Sequence, residues 1–383
     1  VVAHVETGLD VLIRQGFMEL QGKRIGIITN HTGLSKTGIH IVDAAKRADG
    51  VELKAIFSPE HGYLGTASDG EQVASGVDTA AGVTVFSLYG VNRKPSREML
   101  EGLDALVFDV QDVGARFYTY IYTMSNCMEA AAENGLEFVV LDRPNPINGT
   151  TVEGPLLESG FESFVGEFPI PIRHGMTIGE LALMIKGEGW IDNADSLHLT
   201  VVTMTGWRRD LWLDQTDVTW VPPSPNMRAL KTATVYPGMC LIEGTNVSEG
   251  RGTDFPFEMI GAPWINSDTL LSFLERESLP GVEFMSANFM PVKLPGAKWP
   301  KFENQSCRGV QLSVTDRDAF KPVMTGLYVV DAIRHLYPDN FKWTGTFDRL
   351  YGSDRFKMGR PFEYKKPDLT LFNKLRRMYL RYE

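Results

Sequence analysis

Cysteine is scarce in this chain. Only Cys127, Cys240 and Cys307 occur in 383 residues, far apart and with no CxxC pair. That spacing excludes a zinc ribbon or a thioredoxin-type redox motif, and so few cysteines suit a reducing or an oxidising compartment equally. Long apolar runs are missing too: no stretch of 18 or more apolar residues reads as a membrane span. Basic charge is in deficit, with 38 Lys and Arg against 48 Asp and Glu and a net charge of −10. Such a balance carries no global attraction for nucleic acid. The short basic run Lys374-Leu375-Arg376-Arg377 reads as a solvated helix face.

Several signatures of specialised chemistry are also absent. There is no GxGxxG, so the glycines that let a backbone approach a dinucleotide pyrophosphate are missing. There is no GxxxxGK[ST] phosphate loop and no HExxH, and no GxSxG nucleophile elbow. The seven histidines are dispersed, which leaves a zinc site without support. Neither metal nor cofactor is expected.

What is present is an alternation of short apolar runs and helical segments. Strands are predicted at Arg24–Thr29, Val51–Phe57, Val83–Leu88, Ala105–Val110, Glu137–Leu141 and Leu197–Met204. Between them, Phe117, Tyr120, Ile121, Met124, Cys127, Met128 and Ala131 keep a 3.6-residue period, stopped by Asn134-Gly135. A second helix is expected after Ser96. Thr177-Ile178-Gly179-Glu180 is a capping box that opens another. Strand–helix alternation predicts a Rossmann-like, mostly parallel sheet with helices on both faces. After Phe255 the pattern shifts to strands mixed with helices, predicting a smaller C-terminal α+β domain. The expected division is 1–255 and 256–383.

In such sheets ligands bind outside the carboxyl ends of the strands, and here those ends are polar. They deliver Asn30 and His31, then Glu60 and His61, then Asp109, Gln111 and Asp112, then Asp142, Arg143 and Asn145. Tyr118 and Tyr122 fall off the apolar stripe of the following helix, whereas Tyr120 lies on it. The Gly- and Asn-rich run Glu243–Asp254 carries Asn246, Glu249 and Arg251 and has no apolar period, so it is either a free loop or a structured cover of the site. Carboxylates, amides, arginines and aromatics suit glycoside hydrolysis, in which one carboxylic acid protonates the leaving oxygen and a second carboxylate activates water or attacks carbon. Glu60 fits the first role if its pocket raises its pKa. Asp109 or Asp112 fits the second. Each also has a plain alternative, as a turn residue, a helix cap or an Asx-turn.

The motifs TNHTG (29–33), SPEHG (58–62), FDVQDVGARFYTYIYTM (108–124), LDRPNPI (141–147) and EGTNVSEGRGTDFPFE (243–258) together resemble the NamZ-type exo-β-N-acetylmuramidases, glycoside hydrolase family 171. The likeness spans nearly the whole chain. It implies release of N-acetylmuramic acid (MurNAc) from the non-reducing ends of peptidoglycan fragments such as MurNAc-GlcNAc. It also implies that the family's proposed catalytic glutamate falls on Glu60. A cation should then meet the lactyl carboxylate of MurNAc, and Arg116, Arg143 and Arg251 are the candidates by position. The alternatives are a non-catalytic glycan-binding protein and a β-N-acetylglucosaminidase. A chain that starts at Val1 is read as one whose signal or lipoprotein segment has been removed, which gives a periplasmic or extracellular location with the cytoplasm as the alternative.

Overall fold

The computed structural model describes residues 2–68, 71, 75–78, 82–90, 92–358 and 368–383. Its centre is a seven-stranded sheet in the order β3-β4-β2-β1-β5-β6-β9. The strands are β1 (Lys23–Thr29), β2 (Val51–Ser58), β3 (Gly76–Asp78), β4 (Val83–Ser87), β5 (Ala105–Asp109), β6 (Glu137–Leu141) and, after a small hairpin of β7 (Glu153–Leu156) and β8 (Pro171–Arg173), β9 (His198–Val202). All neighbours pair in parallel except the edge strand β3, which runs antiparallel to β4. β1 has β2 on one side and β5 on the other, so successive connections leave it in opposite directions. That is the topological switch point, where an open sheet parts its loops.

Side-chain alternation sorts the core into two layers. Ile25, Ile27, Ile56, Val107 and Val139 face α1 (Gly8–Arg14) and α2 (Ile41–Arg47). Ile28, Phe57, Phe108, Phe138 and Val140 face α3 (Tyr120–Asn134) and α4 (Ile178–Gly187). Helices therefore cover both faces, as the alternation predicted. The capping box at Thr177 forms, with Glu180 N–H on the Thr177 hydroxyl, and Gly135 ends α3 in the left-handed conformation at φ 67°. The helix expected after Ser96 does not form: Arg97–Gly102 makes turns instead. Six residues closed by Gly102 are too few to repay nucleation.

The C-terminal part packs α5 (Leu230–Met239), α6 (Ser267–Glu275) and α7 (Pro322–Leu336) with an antiparallel sheet ordered β10-β12-β11, built from Met259–Ala262, Cys307–Val314 and Val282–Phe289. Its apolar residues join the α3/α4 layer in one continuous core. α5 and α7 touch backbone to backbone. A Cβ on Gly238 would lie 1.7 Å from Pro322 O, and one on Gly326 would lie 2.3 Å from Gly238 O. Gly238→Ala should therefore force the helices apart and cost about 3 kcal/mol, the upper part of the usual overpacking range. Thermal melting checks this against Gly345→Ala, where a Cβ meets nothing within 4 Å. Equal melting temperatures for the two variants would refute the close crossing.

Candidate active site

β2 ends in Ser58, and the chain turns at once. Gly62 N–H donates to Pro59 O (3.0 Å), and His61 takes a left-handed backbone with φ 69°. A non-glycine residue rarely adopts that conformation, and such strain collects at functional sites. The turn leaves Glu60 at the sheet rim, 8% exposed. Thr119, just before α3, donates its hydroxyl to Glu60 Oε2 (2.6 Å). His61 bonds through Nδ1 to Ala67 O (2.9 Å). Burial pulls the His61 pKa down despite the neighbouring Glu60 charge.

Opposite stands the loop that follows α5. Arg251 donates to Glu243 Oε1 from Nε (3.1 Å) and Nη2 (2.5 Å) and lies 3.6 Å from Glu249 Oε1. Lys301 Nζ is 2.9 Å from Glu249 Oε2 and donates to the carbonyls of Ile242, Glu243 and Val247. Burial lowers Arg251 to a pKa of about 10, opposed by the Glu60 charge, so the guanidinium remains charged at neutral pH. Glu60 in turn acts on Glu243. Glu60, His61, Glu243, Glu249, Arg251 and Lys301 thus form one charged cluster. The run Glu243–Asp254 is a built wall of it, ordered by polar bonds where it lacks apolar residues.

Tyr118 and Tyr120 sit beside the cluster, ring to ring at 4.9 Å. The Glu60 charge reaches both, and burial raises both phenols far above their ordinary pKa. Tyr120 accepts from Asn30 Nδ2 (3.1 Å) and donates to Pro223 O (2.6 Å), so its hydroxyl helps fix the segment that crosses the rim. His31 holds the same segment through Pro222 O (2.7 Å). Tyr118, expected to be available off the stripe, is buried at 6% exposure. Tyr122 is buried as well and bonds Arg116 O (2.6 Å).

The other expected rim residues hold the frame. Asp109 is fully buried and paired with Arg143 through Nε (2.5 Å) and Nη2 (2.9 Å). That pairing commits the Asp109 carboxylate to Arg143 at the ends of β5 and β6. Asp142 accepts from Thr177 Oγ1 (2.7 Å), Gly179 N–H (2.8 Å) and Tyr382 OH (2.5 Å), tying α4 and the chain's last residues to β6. Arg116, fully buried, gives its guanidinium to the carbonyls of Pro155, Ile170, Leu350 and Tyr351. Asn145 bonds Met176 O, Gln111 bonds the carbonyls of Asp112 and Pro144, and Asn246 bonds the backbone of Asn340 and Lys342. Asp112 accepts from Gly114 N–H (2.7 Å), and burial pushes it up to about 7. His174, 3.8 Å away, is pulled down to about 3 by burial. That pair lies inside the protein. A cavity of about 170 Å³ opens at the β1/β5 switch point, lined by Thr7, Thr32, Ser35, Gln111, Arg143 and Trp220; Glu60, Glu243 and Arg251 take no part in its walls.

Glu243, Lys301 and Thr119 are the site residues that sequence reasoning did not single out. Glu243 opens the run that drew attention to Asn246, Glu249 and Arg251, and that position was its only signal. Among the described residues no group of three or more His, Cys, Asp or Glu could hold a metal ion.

Carboxylates from two loops, gathered at the carboxyl edge of a Rossmann-like sheet with tyrosines beside them, define an α/β protein with an acidic site at its sheet rim. Models of the exo-β-N-acetylmuramidase NamZ match the chain in both parts, the N-terminal model over residues 25–231 and the C-terminal model over 234–382. The chain belongs to the NamZ family. It is 49% identical to the peptidoglycan β-N-acetylmuramidase NamZ of Bacillus subtilis (strain 168), over 99% of this chain and 91% of that protein. Crystal structures of two DUF1343-family proteins of Bacteroides fragilis NCTC 9343 superpose with TM-scores of 0.90 and 0.81, at 36% and 34% identity, each over 99% of both chains.

The Thr119–Glu60 bond yields a direct expectation. A hydrogen bond to a charged group contributes about 1.5–3 kcal/mol, which is about 10- to 100-fold in rate if it positions Glu60 for the transition state. Thr119→Val keeps the shape and should lower kcat by that factor, with little change in melting temperature. Steady-state kinetics and a melting curve check it. Wild-type kcat would detach Thr119 from the site.

Proposed function

We propose that this chain hydrolyses the β-glycosidic bond of a MurNAc residue at the non-reducing end of peptidoglycan fragments. The observation that carries the reading is the placement of Glu60, in its family motif, against Arg251 and Glu243 from the distant loop. The kinship with a peptidoglycan β-N-acetylmuramidase supports the substrate class. Of the three arginines considered for the lactyl carboxylate, Arg116 and Arg143 spend their donors inside the frame, and Arg251 is the one that stands beside Glu60. Tyr118 and Tyr120 are buried beside the carboxylates and back the site from within. The same reading has the protein meet its substrate in the periplasm or outside the cell.

Chromogenic β-MurNAc and β-GlcNAc glycosides separate this reading from a β-N-acetylglucosaminidase. A preference of at least about tenfold for MurNAc is expected, since about 1.4 kcal/mol in the transition state supplies it and one charge-assisted contact is of that size. Equal rates on both sugars would contradict the muramidase reading. Glu60→Gln should keep the fold and lose at least about a hundredfold in kcat. An unchanged rate at an unchanged melting temperature would make Glu60 a turn residue only.

A further inference from the structure

Glu60 and the 243–251 loop place three carboxyl groups around two cations. Glu60, Glu243 and Glu249 face Arg251 and Lys301. Fully ionised, that set carries three negative charges against two positive ones, and a MurNAc substrate adds a fourth negative charge. The three acids differ in what they offer a proton. Glu249 has a side chain only 4% exposed and is committed to Lys301 and Arg251. Glu60 accepts the Thr119 hydroxyl. Glu243 is 26% exposed at its side chain, and both of its bonds from Arg251 fall on Oε1, leaving Oε2 without a hydrogen bond among the described residues.

We infer that Glu243 is the carboxylic acid that protonates the leaving glycosidic oxygen, with Glu60 as its partner carboxylate. The placement of Glu243 is rigid. Its carbonyl accepts from Lys301 Nζ (3.3 Å) and from Thr344 Oγ1 (3.4 Å). The next residue, Gly244, lies so close to Phe347 that a Cβ there would be 2.4 Å from the Phe347 Cα. Burial first, then Glu249 and Glu60, with Lys301 opposing, push Glu243 up to about 8, while the two Arg251 bonds on Oε1 pull the other way, towards the carboxylate. Tyr236 and Cys240 also face it, and both are held neutral by burial. A carboxyl held in its acid form beside a second carboxyl is the usual basis of acid–base division in a site.

The step balances. The Glu243 O–H proton passes from Oε2 to the glycosidic oxygen as that oxygen's bond to the anomeric carbon breaks, and the bond's electron pair leaves with the oxygen. In the net reaction the carbon takes its new bond from water, and the water's proton ends on Glu60. The Glu243 carboxylate left behind is already bonded at Oε1 by Arg251, which stabilises the charge as it forms. Proton exchange between the two carboxyls and solvent restores the starting state.

This inference rests on the muramidase reading and is tested by leaving-group dependence. The substrates are the disaccharide MurNAc-GlcNAc, whose departing alcohol needs a proton, and 4-nitrophenyl β-MurNAc, whose departing phenolate does not. Glu243→Gln should lose at least about a hundredfold in kcat on the disaccharide, within the range of general acid catalysis, and less than about tenfold on the aryl glycoside. Wild-type kcat/KM on the disaccharide should fall as pH rises through about 8, because a raised carboxyl is the acid below its pKa and is lost above it. That limb should be absent for the aryl glycoside. Equal losses on both substrates would make Glu243 a support for Arg251 and overturn the proposal. If the variant does not fold, the wild-type profiles decide alone, and an identical alkaline limb on both substrates overturns it. Wild-type protein inactive on both substrates would overturn the muramidase reading itself.

Discussion

Arg251 carries its charge into the protein between carboxylates from both halves of the chain. Glu60 arrives on the turn after β2, and Glu243 and Glu249 come from the loop after α5. A guanidinium taken out of water is tolerated only where its partners are close and well aimed, and Glu243 and Glu249 of its own loop are those partners. The rest of the loop follows from this. Lys301 ties three of its carbonyls, and Gly244 lets it lie flat on Phe347. The wall needs few apolar residues because polar bonds order it.

A second set of buried polar groups keeps the sheet rim fixed beneath that cleft. The Asp109–Arg143 pair bridges the ends of β5 and β6. Asp142 gathers Thr177, Gly179 and Tyr382, and so fastens α4 and the last residues of the chain to the same rim. Arg116 donates to four carbonyls, those of Pro155, Ile170, Leu350 and Tyr351. Unpaired groups at these positions would be costly, so the rim is stiff, and the turn at Glu60 with its left-handed His61 is carried by a frame able to impose it.

The sheet and its flanking helices were legible because each rests on local pattern: apolar runs for β1, β2, β5 and β6, a 3.6-residue period for α3, a capping box for α4. The helix after Ser96 misread a cap without enough chain behind it. At the site, the position of Glu60 after a strand pointed to the rim, and Arg251 and Glu249 were found in a loop whose polarity invited attention. Strand-end position could not separate Glu60 from Asp109 or Asp142, because all three look alike in sequence. What separates them is the partner each meets across the fold, Thr119 and Arg251 in one case and Arg143 or Thr177 in the others. Glu243 and Lys301 are set by contacts about 60 residues apart in the chain, and no local pattern encodes those.

In the proposed mechanism sugar binds between Glu60 and the 243–251 loop, with both carboxyls at the scissile bond. A crystal structure of the Glu60→Gln variant soaked with MurNAc-GlcNAc tests it most directly. The glycosidic oxygen is expected within hydrogen-bond distance of Glu243 Oε2, with residue 60 facing the anomeric carbon. A sugar seated instead in the cavity lined by Thr7, Gln111, Arg143 and Trp220, with the glutamate cluster untouched, would contradict it.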